Sequence, residues 1–328
     1  MPCMTDIPPP ARPGGPAIPG PPPMYDGPIC DAFLHGPWIG GPGRSPRADL
    51  VPWTDDRRLR RVMRTFHHAD QPGAEAPRRD LPTVLADMDA SGVTTGIVAA
   101  KVYYPTTADA LDSLHDELAS ASAASTGRLH WIATVMPPAH GPGSYWDLMQ
   151  GPRILRALAG LPGLVGVHIT PSPWGLAPND RWYYPLYTTC AELGLALFTY
   201  VGMPGPLWPM GPNDPAHLDD VALAFPDLPI IAHHIGDPWN DMAVRLAARH
   251  ANYYICTSAW SPKAYPAALM AFMAGSWHGT RGADKVIYAS DYPLLDLARA
   301  TSAARALPLP DADLRRVLHD NAQRLFFR

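Results

Sequence analysis

The strongest constraint on this chain is a rhythm. Short apolar runs rich in branched residues alternate with longer helical patterns, and the runs number eight. They lie at 28–31, 95–101, 129–136, 164–169, 195–201, 229–233, 253–256 and 286–289. Most are apolar almost throughout, the pattern of parallel strands covered on both faces. Helical periodicity occupies 80–91, 108–124, 145–159, 184–193, 216–225, 239–250, 263–274 and 311–326. Repeated strand–helix units with right-handed crossovers predict an α/β fold, a single closed (β/α)8 TIM barrel over 28–328. A doubly wound open sheet would announce itself with a Gly-rich turn after its first strand, and no GxGxxG occurs. Of 328 residues, 47% are apolar, enough to bury a core of the size that a barrel of about 250 residues requires.

Three segments depart from a minimal barrel. Residues 1–27 are rich in Pro and Gly, favour extended solvated conformers and predict a flexible tail. Residues 36–79 form an insertion after the first strand, long enough to lie over the active face as a lid or substrate wall. It carries Trp38, Trp53, a run of arginines and His67-His68. The loop 202–214 is studded with prolines that would stiffen a wall of the same pocket.

Composition excludes some partners. A net charge of −4 supplies no field for nucleic acid or an anionic membrane. No run approaches the ~20 apolar residues of a membrane span, and the N-terminus lacks the apolar core of a secretory signal. Cys3, Cys30, Cys190 and Cys256 show no metal-site or redox spacing, which suits reduced thiols in a cytoplasmic protein. A small-molecule substrate is the expected partner.

Chemistry in such a barrel gathers at the C-terminal tips of the strands. The last run, Val286-Ile287-Tyr288-Ala289-Ser290, delivers Asp291 to its tip, as a general base or a proton shuttle for water. The competing reading makes Asp291 a cap for a helix opened by Pro293. The sixth run ends in His233-His234. His234 is placed to polarise a carbonyl or protonate a leaving group, and alternation then sends His233 outside the lumen. His35 and His168 end the first and fourth runs. Lys101 and Lys263 are candidates to pair with a substrate carboxylate, unless they snorkel to solvent. Thr257 and Ser258 offer hydroxyls, but without a GxSxG elbow a covalent nucleophile is not expected. Trp38, Tyr103, Tyr104, Trp174, Tyr200, Trp208 and Trp260 crowd the strand tips and suit a flat apolar ligand.

Several stretches, taken in order, carry a family resemblance: 31–35, Tyr183-Tyr184-Pro185-Leu186-Tyr187, His234-Ile235-Gly236-Asp237-Pro238-Trp239, Thr257-Ser258-Ala259-Trp260, 284–293 and Asn321-Ala322-Gln323-Arg324-Leu325-Phe326. Over most of 28–328 the chain resembles the amidohydrolase superfamily. Within it, the chain resembles the amidohydrolase-related branch that holds aminocarboxymuconate-semialdehyde decarboxylase and the resorcylate-type decarboxylases. The resemblance implies a TIM barrel, often a homodimer, with a divalent metal such as zinc or manganese. The implied ligands are an HxH pair at strand one, a histidine at strand five and the strand-eight aspartate, with a strand-six histidine as acid/base. Here the first HxH position is Phe33, and the strand-five position falls on Thr199 or Tyr200. His35 and Asp291 remain as ligands, with His168 or His234 as recruits. A phenol at Tyr200 would instead bond a substrate oxygen or fill the metal's space.

The resulting expectation is an amidohydrolase-like enzyme that hydrolyses a small aromatic or carboxylated substrate. Asp291 and His234 would do the proton work in an atypical site, metal-bound or metal-free. Tyr200, Lys101, Lys263, Trp38 and Trp260 would contact substrate. The rivals are a non-oxidative carboxy-lyase of an aromatic acid, a cyclase or condensing enzyme of secondary metabolism, and a non-catalytic binding barrel.

Overall fold

The computed structural model describes residues 24–36, 80–100, 108–135, 147–204 and 208–327. Residues 1–23, residues 37–79 of the insertion expected at 36–79 (with Trp38, Trp53, His67 and His68), and Lys101, Tyr103 and Tyr104 lie outside the described residues.

Eight parallel strands form one sheet in chain order. They are β1 (Ile29–Gly36), β2 (Val93–Ala100), β3 (Leu129–Thr134), β4 (Leu164–Ile169), β5 (Ala196–Tyr200), β6 (Ile230–His233), β7 (Tyr253–Cys256) and β8 (Val286–Ile287). The sheet closes on itself where the last strand returns to the first. Ala32 N–H donates to the Tyr288 carbonyl (3.0 Å), Asp291 N–H to Phe33 (3.0 Å) and His35 N–H to Tyr292 (2.8 Å). The predicted α/β barrel is the fold.

The core has two layers. Between strands and helices lie Leu34, Val98, Ala133, Val167, Leu197 and Ala232, with the inward faces of the helices. Inside the barrel lie Cys30, Phe33, Ile97, Ile132, Phe198, Ile231, Cys256 and Ile287. Aromatic rings run along the lumen. Phe326, from the last helix, stacks on Phe198 (5.3 Å between centroids), Phe198 on His233 (5.4 Å), and His233 meets Phe33 (4.1 Å). Gly166 on β4 makes room for them, since a Cβ there would stand 2.5 Å from the Ala196 carbonyl and 2.8 Å from the Phe198 ring.

Local signals explain the element ends. Asp80 caps the helix Leu81–Ser91 by accepting from Thr83 N–H (2.9 Å), and Gly92 ends it with φ 69°. Some boundaries differ from the sequence reading. β1 runs five residues past the expected end at 31, because a bulge between Asp31 and Leu34 keeps it paired with β2. The expected tail stops short of residue 27: Tyr25 is buried, and Arg305 Nη1 donates to the carbonyls of Tyr25 (2.7 Å) and Gly27 (3.0 Å). A helix at Leu297–Arg305, unforeseen in the sequence, is capped by Asp296. The closing helix is interrupted by a π turn, Arg316–Asp320, and the Val317 carbonyl within that turn accepts from Tyr288 N–H (3.0 Å). Among the described residues no helix is long and apolar enough to cross a membrane.

Candidate active site

Four non-glycine residues just past the tips of β6, β7 and β8 hold left-handed backbone: His234 (φ 67°), Ile235 (φ 55°), Ala259 (φ 66°) and Asp291 (φ 62°). Such conformations cost about 1–3 kcal/mol each and persist where surrounding structure enforces them, often at functional sites. Asp291 is therefore not the cap of a helix; Asp296 performs that task five residues on.

Asp291 meets His35. The His35 Nε2–H donates to Asp291 Oδ1 at 2.7 Å, with the carboxylate side chain 4% exposed and the imidazole 12%. A bond joining the tips of β1 and β8 closes the barrel chemically as well as topologically. The bulge in β1 turns Phe33 into the lumen, where its ring stands among four imidazoles. The centroid distances are 5.6 Å to His35, 5.6 Å to His168, 4.1 Å to His233 and 6.4 Å to His234. The Tyr200 ring lies 4.1 Å from that of His234, and its hydroxyl donates to the Met203 carbonyl (3.3 Å).

His233 corrects the sequence reading. It is fully buried and faces inward, on the same side of β6 as Ile231. Alternation counted from His234 fails because β6 ends at His233, and the positive φ of His234 resets the direction of the next side chain. Counting from Ile231 would have found it. Ser258, past the tip of β7, joins the two histidines. His234 Nδ1 is 3.0 Å from the Ser258 carbonyl and 3.1 Å from its Oγ, and His233 Nδ1 is also 3.1 Å from Oγ.

A second carboxyl lies beneath Asp291. Asp31 is fully buried and its Oδ1 accepts from Phe33 N–H (3.2 Å) and Ser290 N–H (3.0 Å). Burial pushes its pKa up to about 7 despite the hydrogen bonds from Ser290 and Phe33. Nothing in the sequence distinguishes Asp31 from a surface aspartate except its place in an apolar run.

The other expected contacts divide. His168 is buried in the cluster, 5.5 Å from His233 by centroid. Lys263 stands exposed on the turn Pro262–Ala264, and Trp260 packs half-buried against the outer layer of the core. Trp208 and Tyr200 flank a small cleft with Thr170, Ser172 and Asn213 at the mouth. Trp38 and Lys101 lie outside the described residues.

The family model for amidohydrolases matches residues 46–328. This chain belongs to the amidohydrolase family. Membership makes it an enzyme, either a hydrolase or a carboxy-lyase. Solved structures share the barrel. An uncharacterized TIM-barrel protein from Bordetella bronchiseptica is 21% identical with a TM-score of 0.68, over 91% of this chain and 98% of that one. A 5-carboxyvanillate decarboxylase from Sphingomonas paucimobilis is 21% identical with a TM-score of 0.65, over 92% and 98% of the two chains. A 5-carboxyvanillate decarboxylase from Novosphingobium aromaticivorans, complexed with manganese and 4-hydroxy-3-methoxy-5-nitrobenzoic acid, is 18% identical with a TM-score of 0.65, over 92% and 96%. No curated protein matches the chain.

Amidohydrolases often use a divalent metal, and the described residues do not fit one. Among the described residues, no three His, Cys, Asp or Glu side chains converge on a point that could hold an ion. Asp291 and His35 bond each other, and the Phe33 ring stands among the imidazoles, 5.6 Å from His168. Phe offers no donor, and a neutral Tyr is a poor one beside His or carboxylate.

Proposed function

We propose that this amidohydrolase hydrolyses a small aromatic or carboxylated molecule by acid–base chemistry at the strand tips. The observation that carries this reading is the 2.7 Å bond between His35 Nε2 and Asp291 Oδ1. That bond orients the carboxylate as the base that takes a proton from water. The hydroxide formed adds to a carbonyl of the substrate. His234 stands on the neighbouring side of the mouth, its Nδ1–H tied to the Ser258 carbonyl. In the imidazolium form its Nε2–H passes to the departing oxygen or nitrogen, and Asp291 later returns its proton to the imidazole. Phe33 and Tyr200 offer ring faces to a flat substrate.

The donor set supports doing this without a resident divalent ion. Elemental analysis of protein never exposed to chelator or nickel resin tests that point. We expect well under one equivalent of zinc or manganese; a full equivalent would show that the ligands rearrange.

A second reading is favoured by the likeness to 5-carboxyvanillate decarboxylases. In a carboxy-lyase the protonated Asp291 would donate to a ring carbon as carbon dioxide leaves. A panel of hydroxybenzoic acids and aryl esters, offered in 18O-labelled water, separates the two. Label in the product without carbon dioxide means hydrolysis, and carbon dioxide from a free acid means decarboxylation. Ring-acid binding without turnover, unchanged by Asp291→Asn, would make the chain a binding barrel and end both readings.

A further inference from the structure

We propose that Asp31 is a positioning residue that sets His35 against Asp291, by pinning the bulge of β1 to the turn that follows β8. The inference rests on the acid–base reading of Asp291, and hydrogen bonds across the seam of the barrel carry it. One carboxyl oxygen of Asp31 takes main-chain donors from both sides of that seam. Oδ1 accepts from Phe33 N–H (3.2 Å), two residues before His35, and from Ser290 N–H (3.0 Å), the residue before Asp291. The Ser290 hydroxyl donates to the same carboxyl, and its oxygen accepts from Tyr292 N–H (3.0 Å). Asp291 N–H donates to the Phe33 carbonyl (3.0 Å). All three amides of the turn 290–292 are therefore held. Asp31 holds Ser290 directly, and its neighbours through the Ser290 hydroxyl and the Phe33 peptide.

Regular strand pairing does not fix this corner. The register of β1 on β2 slips between Asp31 and Leu34, and β8 ends at Ile287. Asp291 then takes φ 62°, which a non-glycine residue holds only where its surroundings impose it. A side chain reaching across from β1 supplies that constraint. It also explains why a carboxyl is fully buried in an otherwise apolar run. Asp31 acts through the residues it holds: the 2.7 Å bond from His35 Nε2 to Asp291 Oδ1 joins the two segments that its carboxyl has already brought into register. Accepting from an amide needs a lone pair and not a charge, so an amide oxygen in the same place should serve as well.

The test needs no substrate. Protein labelled with 15N at histidine should show a downfield proton for His35 Nε2–H on the Asp291 carboxylate, and His35→Asn identifies that signal by its loss. In Asp31→Ala the proton should move upfield or vanish by exchange with water, because two amides lose their acceptor and the turn relaxes. Asp31→Asn should restore the wild-type signal. An unchanged His35 proton in a folded Asp31→Ala overturns the proposal, and reduces Asp31 to a stabilising residue. An Asp31→Asn that loses the signal as fully as the alanine variant overturns it too. So does a wild-type protein without the signal, since it would hold no fixed pair to position. Should Asp31→Ala not fold, Ser290→Ala decides, because it cuts the hydroxyl links and leaves the carboxyl. A smaller shift in the same direction supports the proposal, and no shift refutes it. Once a substrate is known, Asp31→Ala should lower kcat about 10- to 100-fold with little change in KM, and Asp31→Asn should recover most of the loss. Failure of Asp291→Asn to affect turnover would refute the hydrolytic reading and leave the His35 proton result standing, so the two are separable.

Discussion

The two ends of the barrel handle buried polar groups in opposite ways. At the N-terminal end two of them, Asn321 and Lys285, are tied off by main-chain carbonyls. Asn321 Nδ2 donates to Ala283 (2.7 Å) and Val286 (2.8 Å), and Lys285 Nζ donates to His250 (2.9 Å) and Ala251 (2.8 Å) while lying 4.2 Å from the Tyr254 ring centre. The last helix seals that end with Phe326 on Phe198. At the C-terminal end the polar groups bond each other: His35 with Asp291, Ser258 with His233 and His234. The backbone that presents them is left-handed at four residues. One end satisfies polar groups for stability. The other spends conformational energy to hold titratable groups in register, as expected where stability and function are separated along the barrel axis.

Variants should break along the same line. The largest effect belongs to Asp291→Asn, which keeps the shape and removes the base. We expect turnover to fall about 10³-fold or more, with the thermal midpoint nearly unchanged. Comparable turnover in this variant would remove the C-terminal end from the chemistry.

Next comes Asp31, between the ends. Its folded pKa of about 7 stands above the ordinary carboxylate value of 3.8, because burial penalises the charge. The folded state therefore binds more protons than the unfolded state between these values, and stability falls as pH rises through that window. Urea midpoints at pH 5 and pH 8 should differ by about 3 kcal/mol in favour of pH 5 from this group alone. Asp31→Asn, whose amide oxygen can still accept from Phe33 and Ser290, should flatten the dependence. A wild-type protein equally stable at both values would mean that Asp31 is solvated.

Asn321→Ala acts at the N-terminal end. It orphans two carbonyls, at a cost of about 2 kcal/mol by urea unfolding, and leaves kcat of the folded protein unchanged. A lost turnover with intact stability would invert the comparison. The smallest effect belongs to Tyr200→Phe. Its ring against His234 remains and the bond to Met203 goes, so kcat/KM should stay within about threefold. A large loss would make the phenol a substrate contact.

Much of this was legible without coordinates. Near-continuous apolar runs separated by helical periods could bury both faces only as parallel strands, so eight of them implied a barrel. Its strand tips named Asp291, His35, His168 and His234. What escaped the sequence depended on where strands stop and kink. The bulge at Asp31 lengthened β1, and the end of β6 at His233 brought that imidazole into the lumen. The burial of Asp31 and the seat of Ser258 between two rings are properties of neighbours supplied by β1, β6, β7 and β8. Apolar period is a local quantity that a linear chain carries in full. Which imidazoles share a hydroxyl, and which carboxyl keeps its proton near neutral pH, are decided by atoms more than 20 residues apart, and only the closed barrel brings those together.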